Sequence, residues 1–309
     1  IRKSVFIKCK CKYMRYSLTN RIRGTLVGTI LGQSLATAEN EESIYCTGAV
    51  QGIQSLIARG GFHVDQWNQF QQQESNSPIS EDLMLLNLIL ATLPVALFFH
   101  ENRLKLHQNL LLAITNYHNP LLKDGVLSVN YLIAQSLNEK INTNTVVSEI
   151  TSFIGETTSD IPIKLQQVNN LIAKNAGYSE LQNCLDKENN ISNIIAVAFY
   201  CFLTTKEDFR LTCLRAIKNP QNSTVCGAIA GAISGAYNSI AGIPITWHLG
   251  LDEAKLAQWG LTSFSQVVKL ADALFAVWSG AYHLLPELKE VEPDFISPLE
   301  VIAAPHIIR

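Results

Sequence analysis

Two segments of the chain place a glycine at every fourth position, and this spacing restricts the fold more than any other feature of the sequence. The glycines that follow it are Gly24, Gly28, Gly32, Gly227, Gly231 and Gly235. Residues four apart lie on one face of an α-helix. Each glycine inside a helix costs about 1 kcal/mol relative to alanine, so the pattern needs a compensating contact. We therefore predict two helices whose bare faces let another backbone approach closely.

Helical periodicity also dominates the rest of the chain. We predict helices over residues 21–36, 47–59, 80–93, 104–115, 121–138, 145–154, 163–173, 180–185, 191–203, 209–218, 224–240 and 263–284. Residues 66–78 are polar and rich in glutamine, and we interpret them as a loop or a frayed helix. Few segments alternate between apolar and polar residues, so strands are not expected. The fold class predicted is all-α, as a single compact multi-helix domain.

The sequence at the two ends of the chain lacks the helical pattern of the middle. Residues 1–13 are basic and precede Met14, which stands just before the first strong helix. We interpret residues 1–13 as a non-native or disordered N-terminal extension, residues 14–290 as the all-α domain and residues 291–309 as a C-terminal tail. The alternative for residues 1–13 is a basic tail or targeting segment, although an apolar core and a small-residue cleavage site are missing.

Charge and hydropathy limit the classes of partner that the chain is expected to bind. The formal net charge is −2, so binding to nucleic acid through bulk electrostatics is not expected. The longest apolar run, residues 83–99, includes Pro94 and is shorter than the roughly 20 residues of a membrane-spanning helix. We interpret it as a buried core helix ending near Pro94, and we expect no membrane association. The seven cysteines are irregularly spaced, which favours free thiols and a cytoplasmic location.

Both glycine segments carry longer motifs. Residues 21–36 read RIRGTLVGTILGQSLA, residues 227–237 read GAIAGAISGAY, and residues 242–247 read GIPITW. These stretches resemble signatures of the ADP-ribosylglycohydrolase family, which has R-I-R-G-A-L-L-G-x-A-x-G-D-A-L-G near its start. Later it has G-G-D-x-D-T-x-A-A-I-A-G-A-x-x-G-A-Y and then G-I-P-x-x-W. Weaker similarities at residues 94–97, 196–216 and 270–274 follow in the family's order.

The resemblance implies an all-α domain with the active site in a cleft, and hydrolytic removal of ADP-ribose from modified proteins or small molecules. Active members of the family hold two divalent cations, Mg²⁺ or Mn²⁺, through a T-D-D cluster and the D-x-D-T cluster. In this chain the two carboxylates of D-x-D-T fall on Asn222 and Thr224, and the aspartate of G-D-A-L-G falls on Gln33. No aspartate occurs between Met14 and Arg59, where T-D-D is expected.

Neutral oxygens offset the dehydration of a divalent cation poorly, so we predict that the family reaction is lost or impaired and that no cofactor is bound. The residues expected to line the cleft are Gln33, Tyr45, Thr47, Asn222, Ser223 and Thr224; no catalytic residue is assigned. The partners expected are ADP-ribose or an ADP-ribosylated protein. The alternative is a metal-free ADP-ribose-binding or nucleotide-binding protein, or an interaction scaffold, with no catalysis.

Three further alternatives stay open at this point. One is an active hydrolase that assembles its site differently, from Glu39, Glu41, Glu42 and other acidic residues, although a solvated acidic loop is the simpler interpretation of these glutamates. Asn222 and Thr224 begin a helix, where backbone N–H groups can bind a phosphate or simply be capped. Cys226, near the same helix start, is a nucleophile candidate. The sequence specifies no oligomeric state.

Overall fold

The computed structural model describes residues 15–36, 47–74, 80–185, 190–219, 222–251 and 253–281. Within these ranges the chain forms α-helices and one short 3-10 helix (Ile240–Gly242), without strands, which confirms the predicted all-α fold. The α-helices are α1 (Leu18–Ser34), α2 (Thr47–Arg59), α3 (Val64–Glu74), α4 (Glu81–Ala91), α5 (Leu93–Phe99), α6 (Arg103–Ala113), α7 (Pro120–Leu137), α8 (Val146–Ile154), α9 (Ile161–Ala173), α10 (Tyr178–Cys184), α11 (Ile191–Thr204), α12 (Phe209–Ala216), α13 (Ser223–Asn238), α14 (Ile245–His248), α15 (Glu253–Ala257) and α16 (Phe264–Ser279).

Two of the sequence-based helix assignments need correction. The glutamine-rich stretch predicted as a loop or frayed helix is helical from Val64 to Glu74, because the buried Trp67 anchors it against Gly52 of α2. The apolar run also does not end near Pro94. It breaks at Thr92, and Pro94 lies in the first turn of α5, where its missing N–H costs no hydrogen bond.

One helical stretch among the described residues, Glu81–Phe99, is long and apolar enough to cross a membrane by length and composition. Of its most apolar window, 83% is buried inside the protein. It therefore packs as a core element, with α4 and α5 lying against α2 and α7.

The glycine faces of α1 and α13 lie directly against each other, as the spacing predicts. The helices run antiparallel, so that Gly24 faces Gly235, Gly28 faces Gly231 and Gly32 faces Gly227. A Cβ atom added at any of these six positions would lie under 3.0 Å from a backbone carbonyl oxygen of the opposite helix. No side chain larger than hydrogen fits between the two backbones.

The other helices form layers around this pair. α13 also packs against α7, α11 and α12, and α1 also packs against α16 and the 3-10 helix. α2 lies between α16 and the α4–α5 segment, and α8 and α9 cover α7. Residues 191–203 of α11 are buried on every side, as are most residues of α1 and α13. A helix that is buried all round belongs to the interior of the domain.

Two arginines fix α1 to its neighbours. The guanidinium of Arg21 is fully buried, donates to the carbonyl oxygen of Leu137 at 2.8 Å and pairs with Glu139. Arg23 makes a bidentate ion pair with Asp272 of α16, with both N–O distances at 2.6 Å. Paired N–H donors on a carboxylate restrict geometry as well as adding energy. The first turn of α1 is therefore held in one orientation relative to α7 and α16.

Replacing Gly28 by alanine tests the close contact of α1 and α13. The new methyl group would meet the Gly231 carbonyl and the Phe209 ring, so the two helices must separate. We expect a loss of about 1–3 kcal/mol or more in the free energy of unfolding, measured by chemical denaturation. Gly61→Ala is the control, because nothing lies within 4 Å of that position. Equal stability of the two variants would contradict the packing described.

His100 makes stability depend on pH. It is buried against Trp278, and burial lowers the pKa of its imidazole below the usual value, outweighing its hydrogen bond to the Leu97 carbonyl oxygen. Below about pH 6.5 the unfolded chain therefore takes up a proton that the folded chain does not. This contribution to stability is complete above about pH 6.5 and decreases as the pH falls through the folded pKa.

We expect His100→Gln to flatten the acid side of the profile of unfolding free energy between pH 7 and 5. The wild-type slope should exceed that of the variant by up to about 1.4 kcal/mol per pH unit. The exposed His118→Gln serves as the control substitution. An unchanged slope in His100→Gln would show that burial of this ring does not control the acid sensitivity.

Candidate functional site

The glycine contacts decide which helix ends meet. Because Gly32, near the end of α1, faces Gly227, near the start of α13, the last turn of α1 lies beside the first turn of α13. Gln33 directly follows Gly32, and Ser223 precedes Gly227 by one helical turn. The structure therefore brings these sequence-predicted cleft residues to the same end of the central helix pair.

Gln33 is buried there, with 4% of its surface exposed, and contacts side chains from far along the chain. Its Oε1 accepts a hydrogen bond from the indole Nε1 of Trp259 at 2.8 Å. Its Nε2 donates to Oε1 of Gln258 at 2.9 Å. The donor and acceptor assignment of the two amides follows from this network, since the indole N–H can only donate. Gln33 is thus engaged by two neutral side chains.

Thr47 begins α2 and lies next to the same turn. Gly260, which follows Trp259, has a backbone φ of +68°, in the left-handed region that favours glycine. A Cβ atom at Gly260 would lie 3.6 Å from Cγ2 of Thr47. The turn at residues 258–260 therefore bridges the end of α1 and the beginning of α2.

Asn222 caps α13. Its backbone is left-handed, with φ 52° and ψ 64°, which asparagine tolerates better than most residues. Its Oδ1 accepts from the N–H of Val225 at 3.2 Å, and its carbonyl accepts from the N–H of Cys226 at 3.1 Å. Ser223 is buried and Thr224 is half-buried in the turn that follows. The two positions onto which the resemblance places the carboxylates of D-x-D-T thus supply a helix cap and a neutral hydroxyl.

The structure does not place Cys226 where it could react. The residue is fully buried, and its thiol faces the carbonyl oxygen of Ile194 at 3.8 Å on the α11 side. A buried thiol in apolar surroundings is inert. Tyr45, Glu39, Glu41 and Glu42, the other residues named from sequence, lie outside the described residues.

The residues at this end do not fit the divalent cations that the family implies. A hard cation takes carboxylate oxygens, whereas Gln33, Asn222 and Thr224 offer only amide and hydroxyl oxygens. The Oε1 of Gln33 is already engaged by the Trp259 indole, and Oδ1 of Asn222 by a backbone N–H. Across the described ranges, no group of three or more His, Cys, Asp or Glu side chains is arranged to hold a metal ion.

Sequence reasoning missed Trp259 and Gln258. Trp259 is among the largest fully buried side chains, yet it stands 226 residues from Gln33 in a short polar segment. No spacing or motif links the two positions. The apolar residues at 256, 259 and 261 indicate an anchored segment, but they do not indicate what it packs against.

Comparison with known proteins gives a family and a fold. A model of the ADP-ribosylglycohydrolase family matches residues 47–283, which is more than half of the chain. A solved structure described as an "ADP-ribosylglycohydrolase-related protein complex" matches with a TM-score of 0.58 and 16% identity. The match covers 84% of this chain and 99% of that one. At this identity the likeness shows the shared fold alone. No curated protein matches the chain.

Trp259→Phe tests the network around Gln33. The substitution removes the indole N–H that donates to Gln33 in the interior, and we expect the free energy of unfolding to fall by about 1–3 kcal/mol beyond the loss of volume. Trp67→Phe is a matched control, because the Trp67 indole is equally buried and its N–H has no hydrogen-bond partner among the described residues. Equal losses in the two variants, measured by urea denaturation, would argue against a stabilising bond.

Proposed function

Because this chain belongs to the ADP-ribosylglycohydrolase family, we propose that it binds ADP-ribose, free or attached to a protein, without a divalent cation and without the family's metal-assisted hydrolysis. The observation that carries the proposal is the neutral, hydrogen-bonded set of side chains at the positions onto which the resemblance of the motifs places the family's carboxylates. Gln33 and Asn222 are both committed to contacts within the protein.

The loss of charge supports the loss of metal chemistry. Two cations held close together need several carboxylates to offset their mutual repulsion and their dehydration. Gln33, Asn222 and Thr224 carry no charge. Removing the carboxylates also removes the repulsion that they would exert on one another in the absence of cations, so the fold tolerates the metal-free state.

The same change favours an anionic ligand. α2 begins at Thr47 and α13 begins at Ser223, and both starts lie at the site end. A helix N-terminus carries roughly half a positive charge, which favours phosphate. This end carries neutral side chains instead of carboxylates. It therefore attracts the diphosphate of ADP-ribose more strongly than the same end would if it carried carboxylates without bound cations.

A second candidate function is an interaction scaffold that binds no nucleotide. The network of Gln33, Trp259 and Gln258 favours it, because side chains of the protein itself occupy the end of α1. In this alternative the protein keeps the family fold and uses its surface to bind another protein.

Thermal unfolding with ADP-ribose, in the presence of EDTA, Mg²⁺ or Mn²⁺, tests the proposal. Ligand at about 100 times its dissociation constant should add roughly 2.7 kcal/mol to stability and raise Tm by several degrees. We expect the same rise in EDTA as with either metal, and no release of ADP-ribose from a modified protein. A rise that needs metal, or metal-dependent release, would overturn the proposal, and no rise in any condition would favour the scaffold.

A charge variant makes the test specific to the site. Thr224→Glu adds a carboxylate at the second residue of α13, where it suits the helix but repels a diphosphate. We expect normal folding and at least a tenfold weaker affinity for ADP-ribose. Leu104→Glu is the control, since Leu104 is exposed at the second residue of α6, away from the site. Equal affinity of the two variants would place the ligand elsewhere.

A further inference from the structure

We propose that the carboxylate of Asp124 binds a ribose diol, the pair of neighbouring hydroxyl groups that each ribose of ADP-ribose carries. Asp124 lies in α7, and its side chain is fully buried. The proposal rests on the proposed function and deepens it, because it names the residue that recognises a sugar of the same ligand.

One oxygen of this carboxylate is hydrogen-bonded and the other is not. Oδ2 of Asp124 accepts a hydrogen bond from the hydroxyl of Ser159 at 2.5 Å. Oδ1 is buried and has no hydrogen-bond partner among the described residues. An ionised carboxylate can only accept hydrogen bonds, and burying one of its oxygens without a donor is unfavourable. Because folded proteins leave few buried polar atoms unsatisfied, Oδ1 indicates a missing donor.

The protein does not supply that donor from a basic side chain. None of the ion pairs formed between described residues includes Asp124. Ser159 stands two residues before Ile161, the first residue of α9, so the carboxylate lies beside the start of that helix. The partial positive charge of a helix N-terminus suits an anionic acceptor but repels a cation. A neutral donor such as a hydroxyl group therefore fits the position better than a cation does.

Two neighbouring hydroxyl groups match the two oxygens of the carboxylate. A diol can donate one hydrogen bond to each oxygen, and bonds from a hydroxyl to a carboxylate are short and strong. An acidic side chain that accepts from ribose hydroxyls is a recurrent device in dinucleotide-binding proteins. The hydroxyl of Ser159 already makes one such bond to Asp124. The folded chain thus shows one half of the arrangement that a diol would complete.

Ser159 lies on the route from Asp124 to the surface. It is half-buried and belongs to the turn between α8 and α9, in which residues 155, 156 and 158 are exposed. Rotation of its side chain about the Cα–Cβ bond removes the hydroxyl from Oδ2 of Asp124 without moving the backbone. A ribose hydroxyl that enters from the surface then replaces the serine hydroxyl, and its neighbour reaches Oδ1.

Asp124 lies at the same end of the domain as the start of α13. A Cβ atom added at Gly125, the next residue, would lie 3.1 Å from Cδ1 of Ile195 in α11. The thiol of Cys226 in α13 faces the carbonyl oxygen of Ile194 at 3.8 Å. The N-terminal parts of α7, α11 and α13 therefore lie side by side. A ribose at Asp124 can thus belong to the same ligand as a diphosphate at the start of α13.

The experiment compares ADP-ribose with two analogues by isothermal titration calorimetry in EDTA, each analogue lacking the 2-hydroxyl of one ribose. We expect wild-type protein to bind one of the two at least about tenfold more weakly than ADP-ribose, since a site that hydrogen-bonds a hydroxyl rejects a ligand without it. That analogue identifies the ribose at Asp124. Asp124→Asn keeps the shape but turns an N–H₂ donor towards the diol, so it should bind ADP-ribose and that analogue equally. Asp82→Asn, at an exposed carboxylate of α4, should keep the wild-type ratio.

Equal affinity of wild-type protein for all three ligands, or an affinity ratio that Asp124→Asn leaves unchanged, overturns the role of Asp124, while ADP-ribose binding still supports the function proposed above. Failure of wild-type protein to bind ADP-ribose overturns both proposals. A rise in the Tm of the ligand-free protein with Mg²⁺ or Ca²⁺ that Asp124→Asn abolishes would assign Oδ1 to a cation and also overturn the diol. The comparison of ligands on wild-type protein needs no variant to fold.

Discussion

The contact between two bare helix backbones is the constraint on which this structure depends. α1 and α13 approach so closely that a methyl group at any of the six facing glycines would meet a carbonyl oxygen of the other helix. Such an approach gains dispersion contacts along the whole length of both helices, which offsets the intrinsic cost of glycine in a helix. The contact also arranges neighbouring helices, since α11, α12 and α16 pack on one member of the pair and α7 packs on both.

The same contact positions the candidate site. Once Gly32 faces Gly227, the end of α1 and the start of α13 must lie together, whatever side chains stand there. The resemblance of the motifs implies that active family members hold cations with carboxylates at the positions of Asn222 and Thr224. In this chain an asparagine cap and a hydroxyl stand there, beside the Gln33 amide, and the indole of Trp259 donates a hydrogen bond to that amide. The same arrangement of helices can therefore present different side chains at this site, as expected when function depends on sites rather than on folds.

Much of the fold could be predicted from the sequence because its signals are local. The spacing of glycines predicts α1 and α13, and the helix predicted from residue 209 begins there as α12, where the side chain of Asp208 accepts from the Leu211 N–H at 2.8 Å. The sequence does not predict α3 as a regular helix because its glutamines have no apolar period, and the helix is held by the burial of Trp67. The helices α14 and α15 have five residues or fewer, too short for any periodic signal.

The candidate site was only partly predictable for a related reason. The resemblance of the motifs predicts Gln33, Thr47, Asn222, Ser223 and Thr224 as cleft residues, since a family pattern can be laid along a chain. Their environment could not be read in this way. The bond from Trp259 to Gln33 joins residues 226 apart, and only the three-dimensional path of the chain brings them together. A contact between residues far apart along the chain produces no regular spacing in the sequence that could predict it.

The paired glycines also limit how the length of this chain can change. Inserting one residue between Gly28 and Gly32 would rotate the rest of α1 by about 100° and advance it by 1.5 Å, turning side chains into the groove that the glycines leave empty. A compensating insertion in α13 would have to occur at the facing turn. Length variation among descendants of this sequence is therefore confined to the connecting segments, while the two central helices can change register only together.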